Sequence, residues 1–168
     1  MDNGFTDIPV AGGAPFGEPS SSYAAKYPFN HVYETESGHI QEFDDTTDNE
    51  RIHEYHTKGT FYEIDKDGNK STRIVGDNYE VVAGSDFVNI KGTANLTIDS
   101  NCNTYIKGNW NIQVDGTKTE VVTGAVSETY KSTKTENVTG AVQETFSSTQ
   151  TTNVSSNVTI TGSRIDLN

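Results

Sequence analysis

The chain has 168 residues, of which 32% are hydrophobic, with a mean hydropathy of -0.65 and a formal net charge of -12. Acidity on this scale, with no basic stripe, excludes nucleic-acid or anionic-membrane binding by charge. The lone Cys102 excludes an intrachain disulfide and a cysteine-rich metal site. So small an apolar fraction cannot fill a core that offsets chain entropy in a single copy, which leaves disorder or assembly.

Residues 1–30 hold Gly4, Gly12, Gly13, Gly17, Pro9, Pro15, Pro19 and the run Ser20-Ser21-Ser22, without periodicity. They predict an extended or flexible arm that is ordered only by packing on something else. No apolar run is long enough for a signal peptide or a membrane span, which predicts neither secretion by that route nor anchoring.

Residues 31–72 alternate apolar and polar side chains between turn signals at Ser37-Gly38, Asp48-Asn49, Lys58-Gly59 and Asp67-Gly68-Asn69. The spacing predicts a β-meander neck with strands near 31–36, 39–44, 51–56 and 60–65.

From residue 73 to 168 an eight-residue clock takes over. Gly76, Gly84, Gly92, Gly108, Gly116, Gly124 and Gly140 fall on its beat, and Ser100, Ser132, Ser148 and Ser156 fill the gaps. Two residues before each beat the side chain is apolar: Ile74, Val82, Ile90, Ile98, Ile106, Val114, Val122, Tyr130, Val138, Phe146 and Val154. A disordered chain has no reason to hold such a beat, so the pattern predicts a repeat fold with that phase in the core. Glycine on the beat predicts a corner, where positive φ or close backbone approach requires the absence of a Cβ. One octad offers one dependable inward side chain, so a single-chain coil would have an almost empty middle. Several chains wound on one axis would fill it, with layers stacking at ~4.8 Å and about twelve octads giving ~55–60 Å of shaft. The pattern predicts an all-β, oligomeric β-helix; it does not set the number of chains.

The stretch HVYETESGHIQEFDDTTDNERIHEYHTKGTFYEID at 31–65, feeding into IVGDNYEVV at 74–82 and the Val-x-Gly octads, resembles the central spike of contractile injection machines. That family includes the baseplate spike of T-even-like phages and the valine-glycine repeat proteins of type VI secretion. The resemblance implies a homotrimer whose chains intertwine as a triple-stranded β-helix. Its N-terminal end would meet a baseplate hub or tail tube in the virion, and the spike would be driven through the target cell envelope on contraction. Family members usually carry an N-terminal oligonucleotide/oligosaccharide-binding domain, and some phage forms insert a lysozyme domain. Residues 1–30 are too short for either, so lysozyme activity is not carried over.

The ending NVTITGSRIDLN at 157–168 displaces Gly162 from the beat. It resembles spike termini on which a conical tip protein of the proline-alanine-alanine-arginine repeat family sits, which implies docking through Arg164, Ile165, Asp166, Leu167 and Asn168. The alternative is that these residues fold over and cap the assembly. Some phage spikes sharpen themselves with a His-x-His iron site; no histidine follows His56 here.

Other candidates carry less. His53 and His56 form H-E-Y-H, three apart, and face opposite sides of a strand, which is awkward for one metal. His39, Asp44 and Asp45 could suggest acid–base chemistry, but no nucleophile accompanies them. Glu120, Glu128, Glu136 and Glu144 recur four before the beat, with Lys118 and Lys134 two residues ahead of Glu120 and Glu136. They read either as an outward charge ladder or as a polar interior neutralised by lysines, water or trapped ions along the axis. Cys102 and Trp110 sit two after the beat and read as peripheral. The expectation is a structural, non-enzymatic piercing spike without a cofactor. The rivals are a trimeric tail-fibre or adhesin shaft that binds a receptor, and an enzyme on a right-handed β-helix. The second needs more apolar coils and acidic catalytic clusters.

Overall fold

A computed structural model describes residues 5–165, all-β and without helix. By its internal contacts the chain divides into two units, Met1–Asn109 and Trp110–Asn168. The first unit contains one antiparallel sheet, in which β1 (Asn30–Glu34), β2 (Ile40–Asp44), β3 (Arg51–Tyr55), β4 (Phe61–Ile64) and β5 (Lys70–Arg73) lie in chain order. Each connection is short because a turn residue is ready for it. Gly38, Gly59 and Gly68 have φ of 81°, 96° and 79°, and Asp48 takes 65° at the β2–β3 turn.

Strand alternation gives the sheet two unlike faces. One carries Glu42 and Asp44 of β2, Arg51 and His53 of β3, Glu63 of β4 and Arg73 of β5, as the register Asp44↔Arg51, Glu42↔His53 and His53↔Glu63 requires. This polar face is the covered one: Glu42, Asp44, Arg51 and Glu63 are buried. The opposite face holds Tyr33, Phe43 and Ile52, all open. No apolar side chain among the described residues is buried. The cover comes from the N-terminal arm, which is extended but lies on its own chain's sheet. Ser21 Oγ donates to Glu63 at 2.7 Å, and the Lys26 N–H donates to Thr46 Oγ1 at 2.9 Å. Further out, Ile8 and Phe16 form an antiparallel bridge, and Glu18 meets Arg73 at 2.6 Å.

After β5 the character changes within three residues. The backbone bends at Val75-Gly76 and every eight residues after it, at Gly84, Gly92, Ser100, Gly108, Gly116, Gly124, Ser132, Gly140, Ser148 and Ser156. None of the beat glycines has positive φ, and a Cβ added to any of them meets nothing within 4 Å. The corner therefore does not demand glycine for reasons internal to the chain, contrary to the sequence argument. Serine fits four beats for the same reason.

Between bends the chain is extended and unpaired. Among the described residues no backbone–backbone hydrogen bond forms within 76–163, and every residue of 74–165 except the half-buried Thr97 is exposed. Exposure still sorts by phase. Ile74, Val82, Ile90, Ile98, Ile106, Val114, Val122, Val138 and Val154 are 39–56% exposed, whereas Tyr79, Val81, Phe87, Tyr105 and Val121, which point the other way, are 82–92% exposed. Two before the beat is thus the most sheltered apolar position of the octads, whereas Val88 and Leu96, two residues earlier, are 75% and 85% exposed. The chain leaves 16262 Å² accessible, about twice the ~8,100 Å² of a compact monomer of this length.

Candidate functional site

The densest arrangement of charged groups is the covered face of the sheet. Arg51 joins two strands, with Nη2 hydrogen-bonded to Glu42 Oε2 and Nη1 2.8 Å from Glu63 Oε2. His53 Nδ1 lies 3.0 Å from the same Glu63 oxygen and 2.9 Å from Arg51 Nη1. The arm completes the shell: Ser21 Oγ and the Ser22 N–H both donate to Glu63, and the Tyr23 ring lies 4.9 Å from the Arg51 guanidinium carbon. Burial pushes the Glu63 carboxyl up, but the hydrogen bonds from Ser21, Arg51, His53 and Ser22 outweigh it and hold it down at about 2. Such a carboxylate is a fixed charge, unsuited to moving protons near neutral pH. The cluster fastens the arm to the sheet. Its signal in the sequence was the shared face of Glu42, Arg51, His53 and Glu63, and it was missed because no pattern said which face the arm would cover.

The histidines separate. His53 belongs to this cluster, while His56 lies beside His39 with ring centroids 4.4 Å apart, at the rim of an open depression of about 530 Å³ lined also by Tyr33, Tyr55, Phe61 and Tyr62. Both rings accept turn amides, His39 Nδ1 from Thr57 N–H at 3.4 Å and His56 Nδ1 from Lys58 N–H at 3.1 Å. Asp44 instead accepts the Thr46 N–H at 2.9 Å, and Asp45 lies 3.8 Å from His31. The trio His39, Asp44 and Asp45 is therefore not brought together. Among the described residues no group of three or more His, Cys, Asp or Glu side chains could hold a metal ion. No helix among them is long and apolar enough to cross a membrane.

In the second unit Glu120, Glu128 and Glu136 are solvent-exposed in the single chain and paired along it. Lys118 Nζ lies 2.8 Å from Glu120 Oε2, and Lys134 lies 3.7 Å from Glu128 and 4.0 Å from Glu136. The Lys118 hydrogen bond holds the Glu120 carboxyl below its ordinary value. Glu144 is exposed as well, as are Cys102 and Trp110. Of the five tip residues Arg164 and Ile165 are described, with Ile165 48% exposed; Asp166, Leu167 and Asn168 lie outside the described residues.

No family model matches the chain. Two curated proteins do. Protein Gp5 of Vibrio phage KVP40 is 48% identical over 103 residues, covering 59% of this chain and 24% of that protein. The pre-baseplate central spike protein Gp5 of Enterobacteria phage T4 is 42% identical over 86 residues, covering 46% of this chain and 15% of that protein. Over these stretches the chain is similar to the two Gp5 proteins, of which the T4 protein is named a central spike protein. The chain spans about a quarter of the first Gp5 protein's length and less of the second's. At 48% and 42% identity the likeness to the Gp5 proteins is far more specific than an octad beat.

Proposed function

We propose that this chain forms the shaft and neck of a homotrimeric, membrane-piercing spike in the phage tail baseplate. Three copies wind into an intertwined β-helix through the sheltered phase of the octads, and the neck sheet lies toward the hub or tail tube. The single observation that carries the reading is the extended run from 76 to 163, whose backbone groups find no partners among themselves. So long a row of open donors and acceptors is a template for pairing with other chains. The low apolar content and the large accessible surface support the same reading, since both leave a single copy short of burial. The T4 relative's name, central spike, supports the choice of a spike among such assemblies.

The function is mechanical. Ladder bonds running between copies stiffen the shaft, and its Thr- and Ser-rich exterior keeps it soluble. No catalysis and no cofactor are assigned to it. The C-terminal residues 163–168 present a seat for a tip protein of the proline-alanine-alanine-arginine repeat family. Native mass spectrometry with an SDS-resistance assay tests the assembly: three copies resisting SDS are expected, and a stable single copy overturns the reading. Removing 163–168 should abolish binding of the tip protein while leaving three copies; undiminished binding removes the docking role.

A further inference from the structure

The octads carry a second apolar phase that winding through the first does not use. Tyr79, Phe87 and Tyr105 are 85–91% exposed and belong to the phase opposite Val82, Ile90 and Ile106. Successive side chains of an extended strand point to opposite sides, so closing one phase into a shared core leaves the other outside. Large aromatic side chains on an exterior call for a partner. They are also local: from Asn111 onward the same outward positions hold Thr, Ser, Asn, Gln and Ala almost throughout, Val121 being the apolar exception.

The first unit also shows what reaches this exterior. Thr97 belongs to the outward phase, and its hydroxyl donates to the Pro9 carbonyl, 88 residues away in sequence. That contact is made by the small hairpin closed by the Ile8–Phe16 bridge, at the residue that follows the bridging Ile8. The hairpin is itself apolar and incompletely covered, with Phe5 60% and Phe16 43% exposed. It is tied down at its base by Glu18 on Arg73. A chain's own hairpin therefore rests on its own octads at Thr97 yet leaves Tyr79, Phe87 and Tyr105 open.

We infer that in the assembled protein the N-terminal hairpin of a second copy, residues 5–17, covers the outward aromatics Tyr79, Phe87 and Tyr105, so that the arms form a collar around the sheet-proximal octads. The inference rests on the proposed assembly. It names a contact that the octad winding does not require. The occupant is a second copy because the hairpin already contacts the outward phase at Thr97. Copies wound on one axis bring further hairpins to the same exterior.

Hydroxyl-radical footprinting of the assembled full chain, compared with Val10→Asp/Phe16→Asp and with a form lacking residues 1–17, tests it, each sample being checked by native mass. Tyr79, Phe87 and Tyr105 should be several-fold less reactive in the parent than in either variant, with all three forms still assembled. Equal, high reactivity in all samples overturns the collar and leaves the patch open to a different partner. Equal, low reactivity also overturns it, since something other than the hairpin then covers the rings. Oxidation of a Val10→Cys/Phe87→Cys form in a Cys102→Ser background should give covalent dimers or trimers; a covalent link confined to single chains contradicts the exchange between copies. A single-copy native mass ends the collar together with the assembly, a result distinct from loss of protection alone.

Discussion

Arg51 Nη1 lies 2.8 Å from Glu63 Oε2, and the same guanidinium also holds Glu42 on the strand to its other side. Three neighbouring strands are thus riveted by one side chain, itself buried beneath the arm. Replacing Arg51 by Met leaves Glu42 covered without its cation and Glu63 with only Ser21, Ser22 and His53, which should cost about 3–5 kcal/mol. Urea unfolding followed by tyrosine near-UV circular dichroism would read this as a lowered midpoint. A change below about 1 kcal/mol would mean that the cluster opens to water without loss.

Glu63 makes the sheet acid-sensitive in a defined window. Its carboxyl sits at about 2 in the fold against an ordinary 4.5, so the folded state binds the proton less readily than the unfolded one. The stabilisation is fully present above about pH 4.5 and is lost as pH falls toward 2. Thermal melts between pH 7 and 2 should be level down to about pH 5 and then decline. In Glu63→Gln the acid slope should be shallower, and stability at pH 7 lower.

Glycines in the two parts of the chain should respond in opposite ways. Gly38 has φ of 81°, and a Cβ there would come 3.3 Å from Thr57 Cγ2, so Gly38→Ala should destabilise the sheet by about 1–2 kcal/mol. Gly116 has neither positive φ nor a neighbour within 4 Å. Gly116→Ala should leave the unassembled chain unchanged. Any loss of thermal stability in the assembled form of that variant then measures crowding by other copies.

Adjacent valines provide the sharpest test of phase. Val122 is 52% exposed and Val121 82%. Val122→Asp together with Val138→Asp should abolish assembly in native mass spectra, because each buries an unpaired charge in every copy. Val121→Asp should assemble like the parent. If both behave alike, the inward phase has been assigned wrongly.

Much of the sheet is legible in the residues, because its turns are chemically marked. Gly38, Gly59 and Gly68 sit at the left-handed positions that close the hairpins. The fifth strand, Lys70–Arg73, escapes notice since Lys-Ser-Thr-Arg has no apolar side chain to alternate; its pairing follows from Tyr62↔Thr72 and Glu63↔Ser71 across the gap. The polar cluster is hidden for a related reason. Alternation places Glu42, Arg51 and Glu63 on one face and Phe43 and Ile52 on the other, and the usual rule buries the apolar set. Here the arm, through Ser21 and Ser22, covers the charged set instead. The arm's low-complexity composition gives no sign of that. In the octads the beat is plain, but the physical need for glycine lies in no contact of this chain.

The contrast between hairpins joined by tight turns and octads without a single internal backbone bond also sets an order of events. The five-stranded sheet pairs each strand with its sequence neighbour, a low contact order that favours fast, unimolecular closure. Residues 76–163 make no backbone hydrogen bond among themselves, so in the proposed assembly their ordering would be of higher molecularity and would slow with dilution. During synthesis the sheet and its arm emerge from the ribosome before most of the octads. Dilution should therefore trap a species with a finished sheet and an unzipped tail, and yield in cells should rise with the local density of ribosomes on one message.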